Sequence, residues 1–276
     1  MTSAEDTLHS KAVAFRDLHR STFVVANAWD AGSARLLTRA GSVALATTSA
    51  GLAFALGVPD GAGRIDRTTT LANARAIVEA TPLPVTADLE SGFGETPAEL
   101  EATYLAAAEI GLVGGSIEDA TGLPDAPIRP LDEAVDRVRH VVAAVRRLPF
   151  PFTVTARAEN FLYGRPDLDD TVRRLVAYRD AGADVLYAPG LPTSDALRQV
   201  CAALDAPVNA LVGGPPAASV AELAALGARR ISLGSLLARL ALTAVADAAD
   251  GLLGTGTLPS PAAALSYADV NALMRD

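Results

Sequence analysis

The acids best placed for chemistry in this 276-residue chain close short apolar runs. Val85-Thr86-Ala87-Asp88 reads as a buried strand that ends on a carboxylate, and Glu90 follows two positions later. A Gly92-Phe93-Gly94 turn comes next, and Thr96-Pro97-Ala98-Glu99 then opens a helix with the pattern of a capping box. Ser116-Ile117-Glu118-Asp119 repeats the theme of an apolar strand ending on acids. Such acids are poor packing material and good ligands for a hard divalent cation, so Asp88, Glu90 and Glu118 are candidate ligands for Mg2+, with Mn2+ as a substitute. Glu90 can equally complement a helix dipole, and Glu118 can equally serve in an ion pair. Arg157 closes the run Phe152 to Arg157, where a guanidinium can fork onto a substrate carboxylate or phosphonate, or neutralise Glu118 or Glu159.

Around these charges lie groups suited to an anionic substrate. Thr48, Ser49 and Ala50 bring hydroxyls and free backbone N–H groups, which make either an anion cradle or an ordinary polar loop. Asp60 belongs to the stretch from Thr48 to Arg67, which is longer than a usual strand-to-helix connection. It can act as a base or hold a water, or simply shape a turn. Asn209 ends a later strand, and Trp29, the only tryptophan, can wall a pocket or pack in the core. His9, His19 and His140 fall on helices away from these ends and read as surface residues; Cys201 reads as helix filler.

The elements that must position these groups alternate. Strands are expected at Phe23–Asn27, Val43–Thr47, Val85–Asp88, Ser116–Glu118, Thr153–Arg157, Val185–Ala188, Val208–Ala210 and Arg230–Leu233, with a helix after each and a leading helix over residues 1–20. Gly41, Gly182 and Gly227 stand where helices should end. Eight such units predict a (β/α)8 TIM-type barrel in one domain over residues 1–276, with residues 1–22 as an N-terminal helix and 251–276 as a C-terminal tail. Function then belongs at the C-terminal ends of the strands, where the residues above collect. The tail helix expected from Tyr267 must dock somewhere, a neighbouring subunit being one surface.

A net charge of −9 argues against nucleic acid and anionic membrane as partners. No uncharged apolar run reaches transmembrane length, the N-terminus is too polar for a secretory signal, and one cysteine excludes an internal disulfide; the expected setting is the cytoplasm.

The strand-end motifs resemble those of the isocitrate lyase/phosphoenolpyruvate mutase superfamily. They are Asn27-Ala28-Trp29-Asp30, Thr48 to Gly51 with Leu56 to Asp60, Ala87 to Gly94, Ser116 to Asp119, and Thr155 to Glu159, and the likeness runs from Phe23 to about Leu240. The resemblance implies that Asp88 and Glu90 face Mg2+ and that Glu118 is a third acid of the metal sphere. It further implies that Thr48 to Ala50 hold the substrate carboxylate, that Asp60 falls on the family's acid after Leu-Gly, and that Arg157 neutralises a 2-oxo acid or enolate. The implied chemistry makes or breaks a bond at C3 of a pyruvate unit in a small 2-oxo acid or di- or tricarboxylate. A homo-oligomer, dimer or tetramer, with its last helix exchanged between subunits, is implied too.

Two positions depart from the family pattern. Glu90 stands where aspartate is usual, and the loop Ala120 to Arg129 carries none of the cysteine, lysine, histidine or asparagine of family lyases and mutases. The expected function is therefore a Mg2+-dependent carbon–carbon lyase, resembling oxaloacetate decarboxylase or methylisocitrate lyase, with Asp125 or Tyr163 as proton donors. The alternatives are carbon–phosphorus chemistry on a phosphonopyruvate-like acid, and a non-catalytic barrel that binds an oxo acid.

Overall fold

In the computed structural model, which describes residues 4–213, 219–260, 262 and 264–275, eight parallel strands close into one barrel in chain order. The strands are β1 (Phe23–Asn27), β2 (Leu45–Ala46), β3 (Val85–Ala87), β4 (Gly114–Glu118), β5 (Thr153–Arg157), β6 (Val185–Tyr187), β7 (Val208–Leu211) and β8 (Arg230–Ser232). The ring shuts where Phe23, Val24 and Val25 pair with Arg230, Ile231 and Ser232. Helices α2 (Ala31–Arg39), α4 (Arg67–Glu79), α5 (Pro97–Glu109), α6 (Leu131–Val145), α7 (Leu168–Asp180), α8 (Ser194–Ala203), α9 (Val220–Ala225) and α10 (Leu236–Asp250) follow the strands, as expected of a (β/α)8 barrel.

The period of two along each strand separates two environments. Leu45, Val85, Ile117, Val154, Leu186, Val208 and Ile231 point outward into the main apolar core shared with the helices. Thr86, Ser116, Thr155, Asn209, Arg230 and Ser232 face the barrel interior instead and line a cavity of about 220 Å³. Barrels are usually plugged inside by branched apolar side chains. Here small hydroxylated residues leave that interior open from the rim downward.

The opposite end of the barrel is closed by α1 (Ala4–Leu18), whose Ala12 and Phe15 pack on Phe23, Val25, Ala44 and Val113 at the starts of the strands. His19 follows α1, and here the expectation of a surface histidine is corrected. Its ring is 7 % exposed, edge-on to Phe15 and Phe23 with centroids 5.1 and 5.0 Å away. Residues 1–3 of the expected leading helix lie outside the described residues.

One further element differs from expectation. The stretch read as a long loop after β2 contains a helix, α3 (Ser49–Ala55), capped by the Thr48 hydroxyl. The tail helix α11 (Tyr267–Leu273) docks on its own barrel, where Arg35 and Arg39 of α2 donate to the carbonyls of Arg275 and Ala272 at 3.2 and 3.1 Å. Among the described residues no helix is long and apolar enough to cross a membrane.

Candidate active site

Asp88 follows β3 at the barrel rim, and every approach to its carboxylate is organised. Oδ2 accepts from the Ser49 hydroxyl at 2.8 Å and from the Ser49 backbone at 3.3 Å, the first turn of α3. Oδ1 accepts from Ser116 at 3.1 Å and from Arg157 Nη1 at 2.9 Å. The backbone N–H of Asp88 donates to Thr47 at 2.9 Å, which ties the acid to the end of β2. Burial alone would raise the Asp88 pKa; Arg157 and the bonds from Ser49 and Ser116 outweigh it and hold the carboxylate below its usual range.

Arg157 at the end of β5 is the cation of this cluster. Besides Asp88, it meets Glu118 through Nη2 at 3.2 Å and Glu159 through Nε at 2.7 Å, and its guanidinium lies 5.3 Å from the ring centre of Tyr187. Of the two sequence alternatives for Arg157 the structure shows the neutralised acids; the guanidinium also lines the cavity beside Thr48, Ser49, Ala50, Asp60 and Asn209. Asn27 fixes the rim between β1, β2 and β8, donating to Thr47 O at 2.9 Å and accepting from Leu233 and Gly234 at 2.9 and 3.0 Å.

The turn after Asp88 is strained. Glu90 and Phe93 adopt φ of +50° and +53°, a region that side chains with a Cβ seldom occupy, and they do so at the rim of the barrel beyond β3. Arg137 of α6 holds this turn from beneath through the carbonyls of Ser91 and Gly94, both at 2.7 Å. The capping box of Thr96 and Glu99 then starts α5 as expected.

The acids outnumber the cations here. Burial, together with the charges of Asp88 and Asp60, pushes Glu90 up to about 7. Burial also raises Glu118 well above the carboxylate range, with Glu159, Asp88 and Glu90 adding to the effect against Arg157. Asp60 is raised by burial and then by Asp88. A pocket that raises the pKa of several of its carboxylates is short of positive charge, and the donors available are hard oxygens. Both features fit Mg2+. Among the described residues no three acid, histidine or cysteine side chains are grouped closely enough to hold a metal ion together. Mg2+ keeps several waters and takes few protein ligands, so a single carboxylate with others near it would be its site. Asp88 would hold such an ion, with Glu90 and Glu118 around it.

The remaining expected residues are placed as follows. Trp29 is half-buried beside Gly51 and is not on the cavity wall; a Cβ on Gly51 would come within 2.9 Å of it. Tyr163 is 40 % exposed, close enough to Glu118 and Glu159 for their charges to add to the effect of burial in raising its phenol pKa. Asp125 sits exposed on the 120–129 loop, which is pinned into a tight hairpin by the Ala120–Ile128 bridge and by Thr121 donating to Ala126 O. No residue of that loop lines the cavity. Sequence reading missed Ser116, Arg137 and Arg230 as parts of the site. A readable signal existed for the two arginines: Arg137 interrupts the apolar stripe Ala134, Val138, Val141 of a helix, and Arg230 opens an apolar strand.

Comparison with known proteins agrees with this geometry. The family described as phosphoenolpyruvate phosphomutase matches residues 15–253. A solved structure from Burkholderia cenocepacia J2315, provisionally named a lyase/mutase, is 52% identical with a TM-score of 0.93, covering 97% of this chain and 96% of that one. The 2-methylisocitrate lyase of Salmonella typhimurium is 30% identical over 79% of this chain and 76% of its own length. The oxaloacetate decarboxylase of Chromohalobacter salexigens is 30% identical over 84% and 82%. The structure of phosphonopyruvate hydrolase with oxalate and Mg2+ is 25% identical, with a TM-score of 0.85 over 95% of this chain and 94% of that one. Closed barrel, strand-end motifs and matched span agree: the chain belongs to the isocitrate lyase/phosphoenolpyruvate mutase superfamily of lyase and mutase enzymes.

Proposed function

We propose that the protein is a Mg2+-dependent carbon–carbon lyase that breaks a bond at C3 of a small 2-oxo or 2-hydroxy carboxylic acid and stabilises a pyruvate enolate. The observation that carries the reading is Arg157. Its guanidinium is fixed by three acids and opens on the same cavity as the Thr48–Ala50 turn, so it faces a carboxylate seated on that turn.

Oxaloacetate decarboxylation is the simplest case. The C3–C4 bond breaks, its electron pair becomes the C2–C3 double bond of the enolate, and C4 leaves as CO2. A proton then adds to C3 to give pyruvate. No base is needed to begin, which suits a 120–129 loop that brings no titratable group to the cavity. Arg157 stabilises negative charge as it develops, already oriented and partly desolvated. The Thr48 hydroxyl and the Ala50 backbone N–H orient the carboxylate, while Ser49 is engaged with Asp88. Asp60 lines the cavity with a raised pKa and can carry the proton to C3; Tyr163, outside the cavity wall but influenced by the charges of Glu118 and Glu159, is the second candidate donor. Asp88, with Glu90 and Glu118 around it, would hold Mg2+, which would supply further positive charge as the enolate develops.

Support for the metal comes from the acid surplus around Asp88 and from the Mg2+ and oxalate held by phosphonopyruvate hydrolase. Carbon–phosphorus cleavage of a phosphonopyruvate-like acid would leave the same enolate, and the match to the phosphomutase family favours it as the second reading. The apolar outer face of α10, with Leu240, Leu242 and Val245 exposed, suits the homo-oligomer and the exchanged last helix expected from the family. A cytoplasmic setting suits both the substrate class and the lone Cys201.

The test is turnover of oxaloacetate and related acids with and without Mg2+, alongside phosphorus NMR of phosphonopyruvate. Metal-dependent pyruvate formation that disappears in Asp88→Ala supports the lyase. Phosphate release without carbon–carbon cleavage would replace it with the second reading.

A further inference from the structure

The cavity does not end at the rim. It descends through Ala46, Thr86, Thr155 and Ser232 to Arg230, whose side chain is 5 % exposed within the barrel. Arg230 is the first residue of β8, so its backbone lies low in the barrel, next to Phe23 and Asn209 on the neighbouring strands. Its side chain crosses the interior. Nε donates to Asn209 Oδ1 at 2.8 Å and Nη1 donates to Thr155 Oγ1 of β5, on the far wall, at 3.0 Å.

Both partners are neutral. The other buried arginines are treated differently. Arg129 meets Glu95 and Glu133, Arg174 meets Asp119 and Asp170, and Arg137 meets Glu95 together with two turn carbonyls. Among the described residues no carboxylate pairs with Arg230. Burial pushes its pKa down to about 10, so it remains a cation at neutral pH. An uncompensated buried charge is costly to a fold. Here it faces open space continuous with the seat of an anionic substrate. A planar fork of donors in that position matches a carboxylate.

We propose that Arg230 is a substrate-anchoring residue: it receives a second anionic group of the substrate, reaching down the barrel from the reacting end, and so selects diacids over monoacids. The assignment rests on the enolate-lyase reading for the end that sits at Thr48 to Ala50. It also narrows the substrate class. A carboxylate paired with Arg230 is held as an anion, which opposes its loss as neutral CO2. The preferred substrate therefore keeps its second carboxylate on the departing fragment, and oxaloacetate is a minimal substrate and not the best one.

The test uses calorimetric titration in Mg2+ with three probes. Oxalate reports the rim alone. 2-Oxoglutarate and 2-oxopentanoate share a chain and differ in whether it ends on a carboxylate or a methyl group. The wild type should bind 2-oxoglutarate at least tenfold more tightly than 2-oxopentanoate. Arg230→Met should reduce that ratio below threefold while oxalate affinity moves less than twofold, and Arg230→Lys, which keeps the charge and guards against a folding defect in the first variant, should retain part of the ratio. A wild type without preference, or a preference that survives Arg230→Met, overturns the proposal. So does a wild type stabilised by chloride and showing no diacid preference, because the subsite would then hold a free inorganic anion. Failure of oxalate alone to bind would count against the enolate reading, since the diacid ratio is read independently of it.

Discussion

Arg157 balances more charge than any other side chain in the site. Arg157→Met would leave Asp88, Glu118 and Glu159 buried without their cation, and removing one partner of such a group costs about 3–5 kcal/mol. Urea denaturation should show that loss. Activity on the best acid should fall by roughly 10²–10³-fold, the range found when one electrostatic stabiliser of an oxyanion is removed. Arg157→Lys should recover part of the stability and little of the rate, because a lysine cannot meet three acids with one fixed fork. Full activity in Arg157→Met would remove the guanidinium from the mechanism. At this scale much was legible in the sequence: Asp88, Glu118 and Arg157 could be read because each ends an apolar run. Ser116 could not be, since a hydroxyl inside a strand acquires meaning only when the closed barrel shows what lies opposite; Arg230 stood out at the head of an apolar strand, but the cavity that it enters did not.

The elements around Asp88 depend on close approach. Gly92 has φ of +92°, and a Cβ there would stand 2.5 Å from Leu100 of α5. Gly92→Ala should therefore combine backbone strain with overpacking, cost about 1–3 kcal/mol, and weaken Mg2+-dependent oxalate binding by displacing the turn. Gly41 has a similar φ of +94° with open space where its Cβ would stand, so Gly41→Ala should cost about 1 kcal/mol and leave binding unchanged. Thermal melts with oxalate titrations of both variants separate the two cases; equal effects on binding would argue that the turn after β3 does not position the site. The strands and most helices were legible because apolar runs and glycine caps recur at regular intervals. Helix α3 was hidden: Ser49–Ala55 is seven residues of small and apolar types with no visible period, and only Thr48 as cap marks its start.

The whole molecule carries a pH-sensitive seal and an unpaired face. His19, wedged between α1 and the start of β1, has its pKa lowered by burial, and next by Arg230, to about 4 from 6.5. Below pH 6.5 the unfolded chain takes up a proton that the folded chain refuses, so stability is full above that pH and declines as pH falls toward 4. The loss on acidification is about 3 kcal/mol, and His19→Phe should flatten it, so the urea midpoint of the wild type should fall relative to that of the variant as pH drops. A constant difference between them would mean that His19 does not titrate on unfolding. At the same scale, the exposed Leu240, Leu242 and Val245 of α10 predict a homo-oligomer by sedimentation, and Val245→Glu should dissociate it. A monomer in the wild type would leave the exchanged helix without support. The barrel itself was legible from eight alternating units, whereas the open polar interior was not, because inward and outward residues of short strands differ by a single position.

The central claim is that a bound metal and the Asp88–Arg157 cluster together hold an enolate. Calorimetric titration of oxalate, whose paired carboxylates mimic the pyruvate enolate, tests it most directly. The account predicts binding that requires Mg2+, survives Gly41→Ala and is lost in Asp88→Ala. Oxalate binding that is indifferent to Mg2+ and to Asp88→Ala, or that is absent throughout, would contradict it.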